Sequence, residues 1–165
     1  MAKRIFSLLA ALAVLLVFAS CAAPKVKDEY AHHATLLIDC KTILSNMGEL
    51  DPEKLELVPE DGVLLDTVTV GFDDGDSVYD ILVRELRSRG MHLEASFTPV
   101  YNTAYIEGIC NLYEFDCGPM SGWEYRVNGE FPDIGCSLYY PEEGDEIAFL
   151  YTCELGADIG DGYGG

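Results

Sequence analysis

Positive charge is scarce in this sequence, with ten Lys and Arg against 29 Asp and Glu, a formal net charge of -19 over 165 residues. A polyanion such as nucleic acid is repelled by that field, as is an anionic membrane surface, so neither is expected as a partner. Chemistry-bearing patterns are equally thin. There is no Cys-x-x-Cys pair, no phosphate-cradling glycine loop and no dinucleotide fingerprint. Three histidines, His32, His33 and His92, are all that could serve a nucleophile as base, and none stands in a diagnostic context. Asp73, Asp74 and Asp76 lack the twelve-residue spacing and closing Glu of a calcium loop. Among 29 acids any glycosidase pair can be nominated, so nomination carries no weight. The reading is therefore no catalytic residue, no metal site, no cofactor and no enzyme.

Long apolar runs are missing after residue 20, whereas before it one stands out. Lys3 and Arg4 precede an almost unbroken apolar stretch from Ile5 to Phe18, and Ala19 and Ser20 lead directly into Cys21. The stretch is short for a membrane span, and charged residues from Lys25 follow at once. This is the pattern of a lipoprotein signal peptide over residues 1–20, with Cys21 the acylated first residue of the mature chain. Phe18 stands where such signals usually carry Leu. Residues 21–33 then form a tether, ending at the adjacent His32 and His33, and the expected location is the extracytoplasmic face of a cell membrane. The mature chain keeps 145 residues, enough for one domain, and its eight basic residues set its charge at -21. Five cysteines remain: Cys40, Cys110, Cys117, Cys136 and Cys153. Export permits disulfides between them; buried free thiols and a reactive role stay open as alternatives, and one thiol must stay unpaired within a monomer.

Periodicity organises residues 34–155. Thr35 to Ile38 and Val68 to Phe72 are β-branched and apolar, as strands are, and Thr42 to Met47 suits a turn or two of helix. Ser77 and Asp80 have capping-box spacing, Val78, Ile81, Leu82 and Leu86 share one helical face, Arg84, Arg87 and Arg89 suit the C-terminal end, and Gly90 stops the helix. Residues 97–121 read as irregular and rich in Tyr and Asn. Trp123, Tyr125 and Val127 alternate with polar residues before Asn128-Gly129, a hairpin turn from which Phe131 should begin a return strand. Ile147, Phe149 and Tyr151 mark a last strand after the Gly144-Asp145 turn, and residues 156–165 are a Gly- and Asp-rich tail. The fold class is α+β, a mixed sheet crossed by one main amphipathic helix in the manner of a β-grasp. Tyr and Trp combine large contact area with a polar handle, so a ligand surface is expected from Tyr101, Asn102, Tyr105, Asn111 and Tyr113 beside Trp123, although Trp123, Tyr125 and Tyr151 also suit the core.

Several segments carry a resemblance. Ser77 to Leu82, Tyr105 to Ile109, Leu112 to Gly118, Ser121-Gly122-Trp123 with Tyr125 and Val127-Asn128-Gly129, Tyr151-Thr152-Cys153 and Leu155-Gly156 together resemble the transcobalamin C-terminal-domain-like modules of bacterial surface lipoproteins. The resemblance implies a β-grasp-like domain, places Cys117 and Cys153 within the family pattern and leaves Cys110 as the extra thiol, so that Cys40, Cys117, Cys136 and Cys153 are the disulfide candidates. It implies binding of a corrinoid or another small ligand, with an envelope protein or transporter as partner, because the helical barrel that holds the far side of the cobalamin in transcobalamin-type proteins is absent here. The competing expectation is a surface interaction or adhesion module for protein or glycan.

Overall fold

The computed structural model describes residues 29–98, 100 and 102–161. The signal peptide, Cys21, most of the tether, Tyr101 and the last four residues of the tail lie outside the described residues.

Strand β1 (His32–Asp39) enters the fold first and occupies an inner position. A short helix α1 (Lys41–Ser45) and a 3-10 turn (Pro52–Leu57) follow, then β2 (Val63–Phe72). Helix α2 (Val78–Arg89) leads to β3 (Leu93–Thr98), β4 (Thr103–Ile109) and β5 (Leu112–Tyr113). Strands β6 (Gly122–Val127) and β7 (Glu146–Thr152) complete the set, with a 3-10 turn at Ala157–Ile159. One sheet runs β2-β1-β7-β6, antiparallel except for the parallel β1–β7 pair. The other is an antiparallel β3-β4-β5. The architecture is α+β, dominated by sheet and consistent with a β-grasp-like fold.

Helix α2 forms as its sequence dictates. Ser77 Oγ accepts from the amide of Asp80 at 3.2 Å, and Asp80 Oδ2 accepts from the amide of Ser77 at 2.9 Å, which occupies two of the donors a helix start leaves free. Gly90, at φ 67°, returns its N–H to Arg87 and Leu86. Val78, Ile81, Leu82 and Leu86 are fully buried, each contributing about 1.5–3 kcal/mol of transfer free energy. Arg84 ties the helix to β2 through the carbonyl of Gly71 and to the intervening loop through Asp76, at 2.9 Å.

Two segments depart from the sequence expectation. Residues 97–121 contain regular structure: β4 pairs with β3 and with β5. The left-handed pair Cys110 (φ 52°) and Asn111 (φ 62°) turns β4 tightly into β5, a primed turn that Asn favours and that carries no glycine signal. Phe131, by contrast, starts no return strand. Asn128 (φ 54°) and Gly129 (φ 85°) do make the predicted turn, closed by reciprocal bonds between Val127 and Glu130. The partner of β6, however, is β7. Pro132 has no amide to give a ladder, and the loop that follows has another use: its carbonyls at Cys136 and Tyr139 accept from Tyr79 and Val78, capping the first turn of α2. Ser137 fastens the same loop to β4 by accepting from Ala104 N at 2.9 Å.

The tail begins folded. Asp158 accepts from Cys153 N at 2.8 Å and from Thr152 Oγ1 at 2.5 Å. A Gly/Asp-rich composition concealed this, because the contact depends on one carboxylate reaching the end of β7.

Candidate functional site

Strand β6 is an edge strand, and its free side faces β4 of the other sheet without joining it. In an antiparallel ladder alternate residues turn their amides to the partner. The bond from Asn128 N to Glu146 O puts the even-numbered residues of β6 in that role, so Trp123 and Tyr125 turn their backbone N–H and C=O toward the gap. A cavity of about 230 Å³ occupies that gap. Ala104, Tyr105 and Ile106 of β4 form one wall, Trp123, Glu124 and Tyr125 of β6 the other, and Phe149 also contributes. Phe131, Pro132, Gly135 and Cys136 of the long loop close one side, and Asp161 reaches in from the C-terminal segment.

The aromatic walls are held rigidly. Trp123 is 8% exposed, packs edge-on against Tyr151 at 5.2 Å and donates from its indole nitrogen to Leu112 O at 2.9 Å, joining the two sheets. Tyr151, fully buried, donates from Oη to Tyr113 O at 2.7 Å. Tyr125 stacks on Phe149 and donates to Ile134 O at 2.6 Å. Tyr105 is the exposed one, at 47%, with its hydroxyl donating to Glu114 at 2.5 Å. Burial, followed by the bond to Glu114, pushes that phenol up to about 12, so it stays a donor at neutral pH.

Glu124 is the electrostatic centre. Its carboxyl is pushed up to about 7, first by burial and then by the charge and hydrogen bond of Asp161, with Asp158 adding to the effect. The two acids meet at Gly156 (φ 88°), where a β-carbon would stand 2.7 Å from Asp161 Cβ and 3.0 Å from both oxygens of Glu124. Among the described residues, no Lys, Arg or His lines the cavity.

Of the sequence candidates, Tyr105 and Trp123 come together here. Asn102 (φ 49°) sits in the β3–β4 turn, where its conformation serves the turn. Asn111 and Tyr113 belong to a second cluster: Lys54 donates to Asn111 O at 2.8 Å, pairs with Asp116 at 3.2 Å and lies 4.8 Å over the Tyr113 ring. Tyr113 also covers Gly108 and donates to Glu94 at 2.8 Å. Glu124, Phe131 and Asp161 escaped the sequence reading. Glu124 looked like the solvent side of an alternating strand, and the other two were assigned to a return strand and a loose tail.

The five described thiols are all free. Cys117 and Cys153 are neighbours at α1, their sulfurs 3.5 Å from Asn46 O and 3.7 Å from Thr42 Oγ1, and Cys40 and Cys110 lie on the same side of the core. Cys136 stands apart, beside Tyr79 and Tyr125, so it rather than Cys110 is the isolated thiol. Burial is the main cause raising every one of them, Cys40, Cys117 and Cys136 to about 12, which holds them protonated and poorly nucleophilic at neutral pH. Among the described residues no group of three or more His, Cys, Asp or Glu is arranged to hold a metal ion, and no helix is long and apolar enough to cross a membrane. His32 is a strand residue that pairs with Asp74 at 3.1 Å.

Comparison with known proteins agrees with the architecture. No curated protein matches the chain. A candidate metal-binding protein from Ruminococcus gnavus ATCC 29149 superposes with a TM-score of 0.43 at 13% identity, covering 73% of this chain and 96% of its own. Haptocorrin, crystallised in complex with Cbi, superposes with a TM-score of 0.50 at 12% identity over 81% of this chain. The chain spans 28% of that haptocorrin's length. Residues 75–152 match the family model described as a domain of unknown function, DUF4430. With the motifs from Ser77 to Gly156 and the shared fold, the resemblance of this chain is to the transcobalamin C-terminal domain.

Proposed function

We propose that this chain is a lipid-anchored extracytoplasmic binding protein that receives part of a small ligand in the cavity between its sheets, with a corrinoid the first ligand to test. The observation that carries the ligand reading is that cavity, walled by Tyr105, Trp123, Tyr125 and Phe149 and open beside the exposed Tyr105. Rigid aromatic walls with a few polar groups are the usual make-up of a small-molecule site. At about 230 Å³ it takes an edge or a side arm of a corrinoid and leaves the macrocycle outside. Tight capture then needs a second surface, from an envelope protein, a transporter or another copy of the chain. The complex named for haptocorrin and the motif resemblance support the choice of ligand; the pattern before Cys21 supports the anchor. Calorimetry of the detergent-solubilised full chain with cobalamin is expected to give saturable heat that Tyr105→Ala and Phe131→Ala reduce. No heat up to about millimolar ligand sinks the corrinoid reading. Acyl-chain labelling is expected in the wild type and not in Cys21→Ser; an unlabelled, soluble wild type overturns the anchor.

One feature favours a second reading, a surface module that recognises protein or glycan. Phe115 (φ 69°) and Leu155 (φ 49°) are each more than 60% exposed in the left-handed region, and Leu155 N donates to the carbonyl of the half-exposed Met120. Large apolar side chains displayed from strained backbone mark a contact surface. Loss of adhesion or pull-down in Phe115→Ser, with calorimetry unchanged, distinguishes this from the cavity.

A further inference from the structure

Resting on the cavity reading above, we infer that the group this cavity receives is an organic cation, a substituted ammonium held against the faces of Tyr105 and Trp123 and balanced by Glu124 and Asp161. Aromatic faces carry the negative part of the ring quadrupole and attract cations, most strongly where water is excluded. Here such rings form both walls, while the titratable or charged groups turned toward Glu124 among the described residues are acids, phenols or a thiol. From the C-terminal segment come Asp161 and Asp158, from β4 Tyr105 with Glu114 on its hydroxyl, from the loop the protonated Cys136, and from β6 the hydrogen-bonded Tyr125. Arg126, the next residue on the Glu124 side of β6, lines a separate hollow with Asn128 and Glu146.

The carboxyl pair is placed by backbone that tolerates nothing bulkier. Gly156 lets Asp161 and Glu124 close around it, and the Asp161 amide donates to Gly156 O at 2.9 Å. Two carboxyls in contact, with no cation beside them among the described residues, favour the protonated form of Glu124. An incoming ammonium supplies the missing positive charge and displaces that proton to solvent, so binding strengthens as pH rises. A neutral ligand of the same shape gains the ring contacts but leaves the acids as they were.

The test uses choline and its uncharged carbon isostere, 3,3-dimethylbutan-1-ol, on the detergent-solubilised full chain. The sequence contains a single tryptophan, so intrinsic emission reports on this wall alone. Choline is expected to shift the emission saturably, to bind at least about tenfold more tightly than the isostere, and to gain about tenfold in affinity between pH 6 and pH 8 as Glu124 ionises. Glu124→Gln, and independently Asp161→Asn, should lower choline affinity about tenfold, flatten that pH dependence and leave the isostere unaffected. Equal binding of choline and isostere, insensitive to both variants, overturns the cation while keeping the cavity. If choline, isostere and cobalamin all leave Trp123 emission unchanged, the cation and the cavity reading fall together.

Discussion

At Tyr113 the acids have a cation of their own, since Lys54 lies over the ring and bonds Asp116, and the cluster is closed. Beside Trp123 the same kinds of residue, aromatic rings with a pair of carboxyls, have no Lys or Arg among the described residues, and burial with Asp161 raises the Glu124 carboxyl toward its protonated form instead. The two regions share the β4–β5 hairpin, through Tyr105 in one and Asn111 and Tyr113 in the other, yet one has its own cation and the other is short of positive charge among the described residues. Aromatic and acidic composition therefore does not identify a site. The charge left unbalanced is what separates the two clusters.

Breaking that contrast at its strongest point means removing Trp123, which joins the sheets. Trp123→Ala should cost about 3–5 kcal/mol in urea unfolding followed by circular dichroism, whereas Tyr113→Ala, on a partly exposed ring, should cost well under half as much; equal costs would refute the difference in packing. Lys54→Met comes next. It strands the partly buried Asp116 and should lose about 1–3 kcal/mol, with no effect on the Trp123 emission. A loss of under about 0.3 kcal/mol would show the cluster indifferent to its cation.

The third comparison is by pH. Because the Glu124 carboxyl is raised in the folded protein, its contribution is complete below the ordinary carboxylate range and is lost as pH rises to about 7. Glu124→Gln removes this loss, so its melting temperature should exceed the wild type's by about 2–4 °C at pH 8 and match it near pH 4. A constant offset across that range would mean Glu124 is not the titrating group. Tyr105→Phe is the mildest change. It removes an exposed bond to Glu114 and should move stability by less than about 0.5 kcal/mol; a larger loss would show Tyr105 to be part of the core rather than the cavity's open wall.

Legibility in the sequence followed the range of the interactions. Helix α2 was readable to its caps because Ser77, Asp80 and Gly90 act within a few residues, and β7 was readable because Ile147, Phe149 and Tyr151 alternate. Residues 97–121 were not, since Cys110 is an unusual turn residue and the short β5 has no period to detect. Phe131 failed for a different reason: its loop is committed to Val78 and Tyr79 at the start of α2, far earlier in the chain. The cavity was half legible. Trp123 and Tyr105 stood out by type, while Glu124 and Asp161 acquire their meaning only when Gly156 brings the tail back against β6.

The position of β1 bears on how the domain responds to load. This first strand lies between β2 and β7, bonded along both edges, and its N-terminal end is where the preceding chain enters. Tension applied through that chain is directed along the strand, so the bonds on both sides share it in shear rather than opening one after another. A pull along β1 against the rest of the domain therefore loads both ladders together, and the expected force trace shows one rupture rather than a stepwise peeling.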